Sequence, residues 1–209
     1  MTALATVLVL GGAVVVAFLV GSVNPATIVA RLRGRDLTVA GSGNPGATNA
    51  GRVLGARWGV VVGVLDVAKG LVPTVVALHV AGPVVAEVVG VAAVLGHIWS
   101  PFLRGRGGKG VATTLGVVLG VLPWFAVVML VVFLAVVAST RWVAGASVTS
   151  AAVLVVLGLA AGPGWTGPLG GRGWTTSVFA VVLSVVVFWR HRRNLQAWWQ
   201  ERRAGRRSG

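Results

Sequence analysis

Six stretches of this chain, at roughly 4–29, 58–79, 82–98, 111–138, 143–161 and 174–189, are built mainly of valine, alanine and leucine. A bilayer span needs about 20 predominantly apolar residues, and most of these stretches reach or approach that length. Only 11% of the 209 residues are charged, far below the roughly 25% of an ordinary soluble domain. The expected class is therefore all-α, a polytopic integral membrane protein, with residues 1–209 as a single membrane-embedded domain. Met1 to Val20 has no basic segment ahead of its apolar run, so it reads as a first transmembrane helix rather than a signal peptide.

The stretch 111–138 fits one tilted helix or two short ones joined around Leu122-Pro123-Trp124, and charge placement separates the two. Arg31, Arg33, Arg35, Arg52 and Arg57 lie between the first two stretches, which puts that loop in the cytoplasm and the N-terminus outside. Alternation keeps Arg104, Arg106 and Lys109 cytoplasmic. The basic tail, Arg190, Arg192, Arg193, Arg202, Arg203, Arg206 and Arg207, joins them only if the chain breaks at Pro123. Seven transmembrane helices with a cytoplasmic C-terminus follow. The outer loops, Gly82-Pro83, Leu122-Pro123 and Gly162 to Gly173 with Arg172, are poor in reactive groups, so any chemistry is expected to face the cytoplasm.

The net charge of +14 could suggest nucleic acid, but the basic residues sit between or beyond the apolar stretches, and no nucleic-acid partner is expected. Bilayer lipid is the expected surrounding. Zero cysteines exclude disulfides, thiolate metal sites and cysteine nucleophiles. No paired carboxylates or metal-ligand cluster stand out, and neither a metal nor another cofactor is expected. Nothing in the sequence sets an oligomeric state.

The polar segments are where chemistry can reside. Ser42 to Arg52, SGNPGATNAGR, combines turn residues with two asparagine amides, two hydroxyls and an arginine, a set suited to an anion. Gly96 to Gly116 holds GRGGKG, whose glycines can expose backbone donors beside Lys109, ahead of a helix starting near Gly110 or Val111. It is not a Walker motif, because Leu103 occupies the early glycine position and Gly110 replaces the Ser or Thr. His97 either closes a helix on a loop carbonyl or touches substrate. Asp66 and Lys69, at i,i+3, form a structural ion pair or help bind an anion. His191 and Asn194 share one helix face if the last helix continues through Phe188; the flanking arginines read as topology signals and lipid contacts. Ser147 and Thr149 read as hydroxyls satisfying local carbonyls. Trp124, Trp142, Trp165, Trp174, Trp189, Trp198 and Trp199 read mostly as interfacial anchors. A basic rim beside apolar spans suits a lipid phosphate, and leaves transferase, phosphatase and exporter open, with a phosphometabolite transporter or a scaffold as the non-enzyme readings.

SGNPGATNAGR, LDVAKG, GHIWSPFLRGRGGKGVATTLG and HRRNL, in that order and spacing, resemble the bacterial membrane glycerol-3-phosphate acyltransferases that use acyl phosphate, over nearly the whole chain. The resemblance implies seven transmembrane helices in the cell membrane. It also implies transfer of an acyl group from acyl phosphate to the 1-position hydroxyl of sn-glycerol 3-phosphate, giving lysophosphatidic acid and phosphate. It further implies that Ser42, Thr48 and Arg52 hold substrate phosphate, with Asn44 and Asn49 shaping their loop. Lys109, in the glycine-rich second motif, neutralises phosphate charge; His191 and Asn194 arrange glycerol 3-phosphate; Ser147 matches a serine of the family's third motif. His97, Gly107, Gly108 and Ser147 join the expected substrate contacts. Arg52, Lys109, His191 and Asn194 are the expected catalytic set. Ala144 departs from the family pattern, which more often has a serine, and GSVNP departs from Gly-Ser-x-Pro through Asn24. His97 and His191 do not begin a His-x-x-x-x-Asp motif, which disfavours acyl-CoA or acyl-carrier-protein chemistry built on that pair.

Overall fold

The computed structural model describes residues 2–162 and 173–205; Trp165, Arg172, Arg206 and Arg207 lie outside them. Every regular element among the described residues is a helix, as expected where a bilayer offers the backbone no hydrogen-bonding partners. The chain runs α1 (Ala3–Ser22), α2 (Pro25–Leu32), α3 (Ala47–Leu54), α4 (Ala56–Ala81), α5 (Pro83–Ile98), a short 3-10 turn (Pro101–Leu103), α6 (Val111–Val121), α7 (Pro123–Thr140), α8 (Val143–Ala160) and α9 (Trp174–Gly205).

Three boundaries differ from the sequence expectation. The first apolar stretch is not one helix: Asn24 ends it and caps α2, its Oδ1 accepting the Thr27 N–H at 2.8 Å, with Pro25 at the first helical position. The polar segment after it is only half a loop, since Ala47 to Leu54 coil into α3. The last helix runs 32 residues, about 48 Å at 1.5 Å per residue, and so outlasts a hydrocarbon core of about 30 Å.

The break within 111–138 falls where Pro123 places it, with Leu122 closing α6 and opening α7. Six helical segments among the described residues are long and apolar enough to cross a membrane; α6, at 11 residues, is shorter. Seven full spans are thus not what helix length alone supports. α6 is instead mostly buried protein core: Thr113, Gly116, Val117 and Val118 are buried against α4 and α5.

Packing follows small residues. α1 lies on α5, where a Cβ on Gly21 would collide with the Ala93 carbonyl and one on Gly96 with the Phe18 carbonyl. α4 lies on α6 in the same way, through Gly70 against Thr113 and Gly116 against Val67. The buried core is alanine- and valine-rich, whereas Val7, Leu8, Val131, Val156 and Val178 face outward, as lipid contact requires. Buried hydroxyls bond carbonyls: Ser22 to Phe18, Thr74 to Gly70, Ser177 to Gly158.

Candidate active site

The polar segments of the sequence meet around a single cavity of about 500 Å³. Its first wall begins at Asn44-Pro45-Gly46. Asn24 donates its amide to the Pro45 carbonyl at 3.0 Å, pinning this turn to the junction of α1 and α2. Asn49, 1% exposed, ties the loop from inside: its Oδ1 accepts the Ser42 N–H at 2.8 Å, and its Nδ2 donates to the carbonyls of Leu37 and Ala40 at 3.3 and 2.9 Å. With both ends of its amide engaged, Asn49 shapes the loop. Ser42, Asn44 and Thr48 are left facing the cavity, and the last turn of α3 carries Arg52 to the same wall.

The second wall comes from the glycine-rich loop and α6. Gly110 adopts φ +85 as the cap of α6, a left-handed angle that suits glycine. The helix therefore starts at the cavity with Val111 and Ala112 on its lining, and its partial positive end faces the space. Lys109 is beside it. Burial, then the positive charges of Arg190 and Arg52, push the Lys109 ammonium below its ordinary pKa. A bound anion reverses that penalty. Gly107 and Gly108 do not line the cavity, contrary to their expected role as exposed donors. Their N–H groups bond the Ile98 and His97 carbonyls at 3.0 and 3.2 Å, and their own carbonyls accept hydrogen bonds from Arg190.

α9 supplies the third wall. His191 and Asn194 both line the cavity, as their helical spacing requires. His191 is 2% exposed, and its Nδ1 lies 2.9 Å from the Val187 carbonyl. A carbonyl only accepts, so Nδ1 carries the proton in the neutral ring and Nε2 keeps a lone pair. Arg190, read from sequence as a lipid contact, instead reaches inward to the glycine loop. Tryptophans likewise do more than anchor: Trp142, on the cavity lining, stacks on Trp198 with centroids 4.8 Å apart.

Behind these walls Asp66, Lys69 and His97 form one buried cluster. Lys69 Nζ lies 2.9 Å from Asp66 Oδ1 and donates to the Val23 carbonyl at 2.7 Å; His97 Nδ1 lies 3.4 Å from the same carboxylate oxygen. The ion pair left open by the sequence is formed. Asp66 and His97 reach the cavity edge, so His97 serves the structure and lines the space at once. Ser147 does both as well, donating to the Val143 carbonyl at 2.8 Å while lining the cavity. The remaining wall is apolar, from Leu115, Met129, Leu130 and Phe133. Among the described residues no carboxylate forms an ion pair with Arg52 or Lys109, since Asp66 pairs with Lys69 and His97. No trio of His, Asp or Glu among those residues is grouped to hold a metal.

Asn24 and Arg190 were not singled out as site-building residues by sequence reasoning. A signal for Asn24 exists, a capping residue directly before a proline. Arg190 has none, because a run of arginines after an apolar helix looks the same whether a member faces lipid or protein.

The family model described as glycerol-3-phosphate acyltransferase matches residues 11–201 of this chain. A glycerol-3-phosphate acyltransferase of Desulforudis audaxviator is 41% identical over 196 residues, covering 93% of this chain and 92% of that protein. One from Geobacter sulfurreducens is 41% identical over 183 residues, covering 87% and 89%. Among solved structures, the crystal structure of PlsY (YgiH), an integral membrane glycerol 3-phosphate acyltransferase, is similar in its glycerol 3-phosphate form, with TM-score 0.85, 35% identity, and 92% and 93% of the two chains covered. Its lysophosphatidic acid form matches with TM-score 0.82 at the same identity.

Proposed function

Since this chain belongs to the glycerol-3-phosphate acyltransferase family, we propose that it transfers an acyl group from acyl phosphate to the 1-position hydroxyl of glycerol 3-phosphate. Lysophosphatidic acid and inorganic phosphate are the products. The observation that carries this reading is the composition of the cavity at which the polar segments meet. Arg52, Lys109 and the start of α6 offer positive charge for phosphate, and Leu115, Met129, Leu130 and Phe133 offer an apolar wall for an acyl chain.

Both substrates bear phosphate, and the only acidic side chain on the lining, Asp66, is already neutralised by Lys69. Arg52, with Ser42 and Thr48, holds one phosphate group; Lys109 and the α6 N-terminus hold the other. His191 and Asn194 orient the glycerol hydroxyls. The hydroxyl oxygen attacks the acyl carbonyl carbon, a new ester C–O bond forms, and the bond from that carbon to the bridging phosphate oxygen breaks. The hydroxyl proton ends on the departing phosphate, directly or by way of His191 Nε2. Rate comes from holding both reactants together and from positive potential fixed before the reaction begins. Phosphate is already a good leaving group, so no covalent acyl-enzyme is needed.

The protein is a multi-pass membrane protein; we place it in the bacterial cell membrane, surrounded by bilayer lipid, with seven crossings, the N-terminus outside and the cavity open to the cytoplasm. The basic first loop, the Arg104 to Lys109 loop and the basic tail support that orientation.

The test is product formation by purified protein in detergent, with acyl phosphate and acyl-CoA as parallel donors. Lysophosphatidic acid from acyl phosphate and none from acyl-CoA is the expected result. Product from acyl-CoA alone, or none from either donor with folded protein, would overturn the assignment.

A further inference from the structure

Arg190 spends its guanidinium on backbone. Its Nη2 donates to the carbonyls of Gly107 and Gly108 at 2.9 and 3.0 Å, and its Nε donates to Gly108 at 3.2 Å. On the opposite side of the same two residues the end of α5 closes in. The Gly107 and Gly108 N–H groups bond Ile98 and His97, and a Cβ on Gly107 would meet the His97 and Ile98 carbonyls, one on Gly108 the His97 ring. The loop is therefore held from both sides, and Lys109 follows directly in the chain.

We propose that Arg190 is a positioning residue, which clamps the Gly107–Gly108 backbone against α5 and thereby fixes Lys109 at the cavity. Without the guanidinium, two buried carbonyls lose their donors, and a buried acceptor left unpaired is costly. Rotation of those peptides is the available relief. It displaces Lys109 and turns carbonyl dipoles, negative end first, toward the place where phosphate is to bind. A lysine cannot replace this clamp fully, because a single ammonium lacks the planar fork that reaches two carbonyls together. Trp189 braces the segment from the next position by packing on Trp99, with ring centroids 5.4 Å apart.

The kinetic consequence rests on the acyl-transfer reading, whereas the clamp itself does not, and the two can be separated. The chain holds two lysines, Lys69 and Lys109. In 13C-lysine-labelled protein they give two Cε signals by NMR, and Lys109→Gln identifies which is which. The ionisable groups around Lys109 are Arg52 of α3, Arg190 and His191 of α9, Arg141 of the α7–α8 turn, and the Asp66–Lys69–His97 cluster of α4 and α5. Of these, Arg190→Gln removes one positive neighbour and frees the loop, and both changes favour the ammonium.

In Arg190→Gln the Lys109 signal should move, its titration midpoint should rise, and kcat/KM should fall about 10²-fold in a protein that stays folded with a modestly lower melting temperature. Arg190→Lys should give an intermediate loss with the midpoint nearer that of the parent protein. If Arg190→Gln does not fold, Arg190→Lys decides alone, and full activity in it contradicts the clamp. An Arg190→Gln protein with parental kinetics and an unmoved Lys109 titration overturns the proposal. A parent protein with no acyl transfer would sink the functional reading, while the Lys109 signal in Arg190→Lys, which keeps the positive charge and loses only the fork, would still decide the clamp: a shifted signal supports it and a parental one contradicts it.

Discussion

In the proposed reaction Arg52 and Lys109 are the two side chains on which phosphate binding should depend most, since neither has a protein counter-ion among the described residues. Truncating either removes a positive group aimed at reacting charge, and Arg52→Ala or Lys109→Ala should each lower kcat/KM about 10²-fold or more, read from initial rates at varied glycerol 3-phosphate. Lys109 also predicts a pH dependence. Only its protonated form attracts phosphate, and its pKa is held below the ordinary value by burial, Arg190 and Arg52. Activity should therefore fall as pH rises through a midpoint lower than the roughly 10.4 of a free lysine. Lys109→Arg, which stays charged, should remove that limb from the kcat/KM profile. At this scale the sequence was informative where chemistry is local: Ser42, Asn44, Thr48 and Arg52 stand within one segment, and His191 and Asn194 share a helix face. It was uninformative where a residue's partner lies far along the chain. Arg190 meets Gly107 and Gly108 more than 80 positions away, and no local pattern separates it from the arginines beside it.

Helices position these groups through close backbone contact. α6 brings its N-terminus to the cavity because Gly70 and Gly116 let it lie against α4 with carbonyls facing Cα atoms. A side chain at Gly116 has backbone in its way rather than a movable neighbour. Gly116→Val should destabilise the protein by about 1–3 kcal/mol or more, measured as a lower melting temperature in detergent, with activity lost in parallel. Pro123 made the break between α6 and α7 readable, since proline cannot continue a helix from within. The α1–α2 break was harder to see because hydrophobicity continues across it, and only the Asn24-Pro25 pair marks the cap. α3 was missed for a different reason: Ala47 to Leu54 is polar and short, and it is helical because it packs on α4, not because its own residues demand it.

For the molecule as a whole, apolar stretches set the class, and the distribution of arginine sets the orientation proposed for it. That orientation is open to direct test, because the chain contains no cysteine to remove first. Val39→Cys, in the exposed first loop, should react with a membrane-impermeant thiol reagent only after cells are opened. Ala81→Cys, exposed at the end of α4, should react in intact cells. The reverse pattern would invert the topology and put the cavity on the other face. In the proposed reaction the hydroxyl of glycerol 3-phosphate attacks the acyl carbon of acyl phosphate. That attack is tested most directly by mass spectrometry of the products formed from acyl phosphate carrying 18O at the bridging oxygen. Unlabelled lysophosphatidic acid is expected, with all of the 18O in inorganic phosphate. Label in a free fatty acid without lysophosphatidic acid would mean attack at phosphorus, and recovery of both substrates intact would mean no transfer at all; either result contradicts it.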